Sequence, residues 1–173
     1  MADDTEETKS EINTFSVLVD NEAGVLHRVV GLFSGRGYNI ESLTVAEVDD
    51  VQGVSRINLV TSGTPMVIDQ IHAQLERLVP VRKVSNLTKE HPSVERELAL
   101  IKVCAVGEPR VESLRIADIF RAHVVDSTNE SFVFEIVGST DKLDAFINLM
   151  RPLGLTEISR TGVAAIARGA EPM

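Results

Sequence analysis

The sequence predicts an α+β protein made of two βαββαβ modules in tandem, and three observations carry that prediction. Hydrophobic periodicity switches between two and about 3.6 residues in the order strand, helix, strand, strand, helix, strand. The same order then recurs, and a charged, polar stretch separates the two runs. At 173 residues and 43% hydrophobic, the chain can bury one large core or two small ones.

The elements follow in order. Met1 to Glu11 is acidic and polar, with neither the cationic start and apolar run of a secretory signal nor an arginine-rich transit character, so residues 1–12 are expected to form a disordered tail. From Thr14 to Asp20 the apolar Phe15, Val17 and Val19 alternate with their neighbours, which is a strand pattern. Val25, Leu26, Val29, Val30 and Phe33 then fall at helical spacing, and Gly35 and Gly37 stop the helix. Tyr38 to Val48 and Val54 to Thr61 form a hairpin around Asp49, Asp50 and Gly53. Thr64 caps a helix that opens on Pro65 and carries Ile68, Ile71, Leu75 and Leu78 on one face; Pro80 ends it, and Val81 to Leu87 closes the first module. Residues 13–87 therefore make the first domain, and the polar, Pro92-containing residues 88–97 are expected to link it to the second. Residues 98–169 repeat the order. A strand runs from Leu98 to Val106 and a helix opens on Pro109; a hairpin turns around Asn129; a helix follows Thr140 and stops at Pro152 and Gly154; one or two strands close around Gly162. Residues 170–173 are left as a tail.

Composition excludes several functions. A formal charge of −9 repels phosphate, and no basic cluster interleaved with aromatics offsets it, so nucleic acid is not an expected partner. No apolar run reaches the roughly 18–20 residues that span a bilayer, so no membrane is expected either. Cys104 is the one cysteine, which agrees with a reducing, cytoplasmic setting; among Ile101, Val103, Ala105 and Val106 it is expected to be a buried, inert thiol. No catalytic constellation assembles. His27, His72, His91 and His123 are far apart and form no metal-binding pair, Asp49 and Asp50 are expected to face water in a turn, and Gly35-Arg36-Gly37 ends a helix where a dinucleotide loop must open one. With one tyrosine, six phenylalanines and no tryptophan, each module has a thin core and an uncovered sheet, so a dimer joined edge to edge is expected.

The informative segment is Asn21-Glu22-Ala23-Gly24-Val25-Leu26, between the first strand and first helix. Unpaired N–H groups at a helix start carry positive partial charge and can hold a carboxylate, and Gly24 lets a ligand approach the backbone closely. The same pattern also fits an ordinary turn in which Asn21 or Asp20 caps its own backbone. Asn39, opening the otherwise apolar strand at Ile40, is the second polar position of interest.

With these segments in view, the chain resembles the small regulatory subunits of acetohydroxyacid synthase, also called acetolactate synthase. The resemblance runs from Asn13 to Gly169 and is densest in SVLVDNEAGVLHRVVGLFSGRGYNIESLTV (Ser16 to Val45), ERELALIKV (Glu95 to Val103) and SRTGVAAIARG (Ser159 to Gly169). It implies an N-terminal ACT domain, which pairs side by side with another copy, and a ferredoxin-like C-terminal domain. It further implies that Asn21, Glu22, Ala23, Gly24, Val25 and Leu26 of one protomer, with Asn39 and Ile40 of the facing one, bind an amino acid: valine, or leucine or isoleucine. The implied role is non-catalytic: activation of a catalytic large subunit, plus feedback inhibition, in branched-chain amino-acid biosynthesis. That partner would carry thiamine diphosphate, Mg2+ and FAD, and this chain no cofactor or metal. The alternative is an ACT-type sensor acting on a different target, such as a transcriptional or transport system.

Overall fold

The computed structural model describes residues 9–90 and 92–173. The elements run β1 (Glu11–Asp20), α1 (Val25–Arg36), β2 (Ser42–Asp49), β3 (Val54–Gly63), α2 (Pro65–Leu75), β4 (Val81–Asn86), β5 (Ser93–Cys104), α3 (Glu108–Phe120), β6 (His123–Ser127), β7 (Ser131–Gly138), α4 (Thr140–Met150), a single 3-10 turn (Arg151–Leu153), β8 (Leu155–Arg160) and β9 (Ala164–Ala167). Strand order is β2-β3-β1-β4 in one sheet and β6-β7-β5-β8 in the other, so both modules carry the predicted βαββαβ arrangement with the same topology.

The chain divides into two compact units, one holding residues up to Val94 together with Val163–Met173, the other Glu95–Gly162. In the first unit, α1 and α2 cover one face of the antiparallel sheet. Alternation along β1 sends Phe15, Val17 and Val19 into that layer, where Val29, Leu32 and Phe33 of α1, and Ile68, Ile71 and Leu75 of α2, complete the core. Thr64 caps α2 as expected, its hydroxyl accepting from the Val67 N–H, with Pro65 at the first helical position. The other face of this sheet carries Ser16, Ser42, Thr44, Asn58 and Ser85, an unusually polar set for a largely buried surface.

Ser85 Oγ donates to Glu90 Oε2 at 2.6 Å, and the C-terminal segment satisfies Ser42, Thr44 and Asn58. The Val163 N–H donates to Ser42 Oγ at 2.8 Å and its carbonyl accepts from Thr44 Oγ1 at 3.2 Å. Asn58, with its amide oriented to satisfy both atoms, donates to the Ala165 carbonyl at 3.3 Å and accepts from its N–H at 3.2 Å. Val163 and Ala165 also close a small apolar cluster with Val60 and Leu87. Residues 163–169, expected in the second domain, therefore lie with the first. Sequence order alone hides this, because the polar side chains that recruit the segment sit on strands about a hundred residues away.

Two further boundaries differ from expectation. Of the expected tail, residues 1–8 lie outside the described residues, while Glu11 and Ile12 belong to β1, paired with Gly63 and Ser62. Of the expected linker, residues 93–97 belong to β5. Their charges suggested a solvated loop, yet Glu97 is only 5% exposed, because Arg160 grips its carboxylate through Nε at 2.8 Å and Nη2 at 2.6 Å.

In the second unit, α3 and α4 pack on one face of the sheet over Ile101, Val103, Phe132, Phe134 and Ile136. Phe146 of α4 meets Phe134 edge-on, with ring centroids 6.0 Å apart. Cys104 is a correction. It is exposed, because period-two alternation along β5 buries Ala99, Ile101 and Val103 and turns Leu100, Lys102 and Cys104 to the opposite face.

Candidate functional site

The turn between β1 and α1 is shaped by glycine. Gly24 stands at the helix N-cap with φ 86°, in the left-handed region, and no side chain caps the helix. A Cβ built at Gly24 meets nothing within 4 Å, so the space in front of this backbone is open. The Val25 N–H reaches back to the Glu22 carbonyl at 3.3 Å, and the Arg28 N–H to the Gly24 carbonyl at 3.1 Å. Among the described residues, the N–H groups of Ala23, Gly24, Leu26 and His27 have no acceptor. The arrangement is a set of outward donors at the positive end of a helix macrodipole.

Neither Asn21 nor Asp20 caps the turn with its side chain. Asn21 donates its Nδ2 to Glu47 Oε1 at 2.9 Å, and its N–H to the Gly53 carbonyl at 2.7 Å, which ties the turn to β2 and to the β2–β3 hairpin. Asp20 accepts from Arg82 Nε on β4. Glu22 pairs with Arg28 at 3.1 Å. Val25 is buried in the core under the turn, and Leu26 points outward, 39% exposed. The apolar cover available to a ligand at this turn is therefore Leu26 more than Val25.

Asn39 and Ile40 lie just before β2. The Asn39 carbonyl accepts from Thr61 Oγ1 and its Nδ2 donates to Glu41 Oε1 at 2.6 Å, which leaves its Oδ1 facing solvent without a donor among the described residues. Ile40 is half-buried against the first unit's core. Within one chain these two segments do not meet. The turn adjoins the Asp20–Val54 end of the sheet, whereas Glu41 hydrogen-bonds the carbonyl of Val60, which pairs with Thr14. From Val54 to Val60 is about 20 Å of extended strand.

Two residues at the site escaped the sequence. Glu47 holds Asn21, and Gly53 anchors its backbone. Glu47 carries no sequence signal, because acidic side chains on an exposed edge strand are ordinary; Gly53 was legible only as a turn residue. Of the remaining candidates, Asp49 Oδ1 accepts from the Gln52 N–H and shapes the hairpin turn, and Gly37 ends α1 with φ 70°. His27 and His123 are exposed, His72 sits between Glu76 and Glu90, and His91 lies outside the described residues. Among the described residues, no group of three or more His, Cys, Asp or Glu could hold a metal, and no helix is long and apolar enough to cross a membrane.

Comparison with known proteins also divides the chain near Glu95, although the second match, unlike the second unit, includes residues 163–169. Residues 15–83 match the family described as the AHAS small subunit-like ACT domain, and residues 96–169 match that described as the small subunit of acetolactate synthase. A probable acetolactate synthase small subunit of Archaeoglobus fulgidus is 48% identical over 159 residues, covering 91% of this chain and 97% of its own. The acetolactate synthase small subunit of Haemophilus influenzae is 48% identical over 155 residues, covering 89% and 94%. The crystal structure of the acetolactate synthase small subunit from Thermotoga maritima superposes with a TM-score of 0.81 at 39% identity, covering 93% of this chain and 99% of that one.

Proposed function

The chain belongs to the acetolactate synthase small-subunit family, and from that premise we propose that it binds valine, or another branched-chain amino acid, between two paired copies of its first unit and thereby sets the activity of a catalytic large subunit. The observation that carries the reading is the placement of the two candidate segments at opposite ends of an edge strand. Strand β2 is outermost in the order β2-β3-β1-β4; the Asn21 turn is fastened near its Glu47 end, and Asn39 and Ile40 precede its Ser42 end. Antiparallel pairing of β2 with β2 of a second copy reverses one strand against the other, bringing the Asn21–Leu26 turn of one protomer beside Asn39 and Ile40 of its partner copy.

The chemistry of that junction suits a zwitterion. The free amides around Gly24 and Leu26 donate to a carboxylate, Asn39 Oδ1 accepts from an ammonium, and Leu26 with Ile40 covers a branched side chain. A carboxylate at a helix start contributes about 0.3–2 kcal/mol, an enclosed isopropyl group about 1.5–3 kcal/mol, and each of a few hydrogen bonds about 1 kcal/mol. Set against the cost of immobilising the ligand, this gives a dissociation constant in roughly the millimolar to micromolar range, as a metabolite sensor requires. The effector then regulates only to the extent that it binds two arrangements of the pair with different affinity. Thiamine diphosphate, Mg2+ and FAD belong to the catalytic chain in this reading, and this chain performs no chemistry itself.

The test mixes the chain with a catalytic subunit and titrates valine. Activity should rise on mixing and fall with valine; failure of both overturns the reading. Gly24→Asp places a carboxylate where the effector's own must sit, at a left-handed position that aspartate tolerates better than most residues. It should abolish the valine response while activation persists.

A further inference from the structure

Along α1 from the Gly24 turn, to which it is joined through Arg28, the helical side of the first unit carries a groove between α1 and the end of α2. It has a volume of about 460 Å³ and is lined by Arg28, Leu32, Arg36, Gln74, Arg77 and Leu78. Three of the six are guanidinium groups and none is acidic, in a chain whose formal charge is −9. On α1 the spacing is deliberate in geometry: Arg28, Leu32 and Arg36 stand at i, i+4 and i+8, one ridge of the helix. Arg28 is paired with Glu22, but Arg36 and Arg77 have no acidic partner among the described residues. Gln74 also lines the groove, and its Oε1, shielded from solvent, has no hydrogen-bond donor among the described residues.

We propose that this groove is a docking surface for an acidic segment of the catalytic partner chain. The inference rests on the family-level reading above, which supplies a partner but no surface. Two observations favour a polypeptide occupant. Guanidinium forks bind side-chain carboxylates bidentately, and the apolar floor of Leu32 and Leu78 accepts an aliphatic stem. Because the rest of the chain is acidic, local attraction at this groove would also orient the encounter, making association fastest at low ionic strength.

The experiment measures binding of the full-length chain to a catalytic subunit, by surface plasmon resonance at several salt concentrations, for wild type, Arg36→Glu/Arg77→Glu and Arg36→Lys/Arg77→Lys. Valine binding is followed in parallel by calorimetry, because neither arginine belongs to the Gly24 turn. The glutamate variant should bind at least tenfold more weakly at low salt, lose most of the salt dependence of the association rate, and keep its valine affinity; the lysine variant should recover part of the association rate. If wild type and glutamate variant bind alike, this inference is overturned and the family-level reading stands. If the wild-type chain binds no catalytic subunit, both fall. If millimolar pyrophosphate raises the melting temperature of wild type but not of the glutamate variant, while both bind the catalytic subunit alike, the groove is a small-anion site and the docking inference is again overturned.

Discussion

Glu97 and Arg160 show how a single ion pair can place a charged residue in a core. Two guanidinium nitrogens clasp the nearly buried carboxylate, and the third, Nη1, reaches Asp144 at 2.6 Å. These bonds, with those donated to Glu97 foremost, raise the pKa of Arg160 well above its ordinary range. Removing the cation strands a buried carboxylate, so Arg160→Met should cost the second unit about 3 kcal/mol, measured by denaturant unfolding; an unchanged midpoint would refute the account. Gly154 is fixed by space instead. It stands at φ 100°, and a Cβ there would lie 2.2 Å from the Cys104 carbonyl, whose residue also donates its N–H to the Gly154 carbonyl. Gly154→Ala must separate β5 from the start of β8, and amide exchange at Cys104 should accelerate as that bond is lost. Lys102 and Glu157 form a solvent-accessible pair whose hydrogen bond, reinforced by charge, lowers the pKa of Glu157 and raises that of Lys102. A lowered carboxyl pKa contributes stability above the ordinary carboxylate range, and that contribution fades as pH falls toward the folded value. A raised amine pKa contributes below the ordinary lysine range and fades as pH rises toward its folded value. The pair is thus intact between the two ranges, and in an NMR titration Lys102→Met should return Glu157 to ordinary carboxylate behaviour.

At the scale of elements, β9 and the residues just before it complete the polar face of the first sheet. Ala165 is 5% exposed in the cluster with Val60 and Leu87, while its neighbour Ile166 is 56% exposed. Adjacent substitutions should therefore diverge. Ala165→Asp buries a charge and should destabilise the first unit by about 2–4 kcal/mol, whereas Ile166→Asp should change little; protection of the Asn58 and Val60 amides from hydrogen exchange reports both. Element order was largely legible in the sequence, because the change of period at Val25, the Thr64-Pro65 start and the Gly37 stop are local signals. The Gly24 turn was legible as a place where amides face outward, since that depends on one glycine and a helix start. What escaped the sequence depends on partners distant in the chain: the buried Glu97 needs Arg160, the seat of Val163 needs Ser42 and Thr44, and Asn21 is held by Glu47. The ridge of Arg28, Leu32 and Arg36 formed no part of that reading, and its complement Arg77 joins it only when α2 packs beside α1.

At the scale of the whole molecule, the proposed sensor needs two copies joined along β2, and backbone geometry says which residue tests that junction. The Glu41 N–H donates inward to the Val60 carbonyl. That carbonyl therefore faces β2, and because ladder bonds in an antiparallel pair alternate with period two, its register partner Ser42, with Thr44 and Ala46, points its N–H toward β3, while Leu43, Val45 and Glu47 direct theirs to the open edge. Glu47 has a side-chain duty toward Asn21 and Leu43 packs against the core, but Val45 is exposed and has neither role. Val45→Pro therefore deletes an outward donor and places a ring on the edge while sparing the β2–β3 ladder, a position at which a strand tolerates proline. If two copies pair through β2, this variant should be monomeric by light scattering at concentrations where wild type is dimeric. It should also bind valine at least tenfold more weakly, because Asn39 and Ile40 of the second copy are no longer beside the Gly24 turn, with the melting temperature of the first unit little changed. A variant that stays dimeric and keeps its valine affinity would place both the junction and the effector site elsewhere on the molecule.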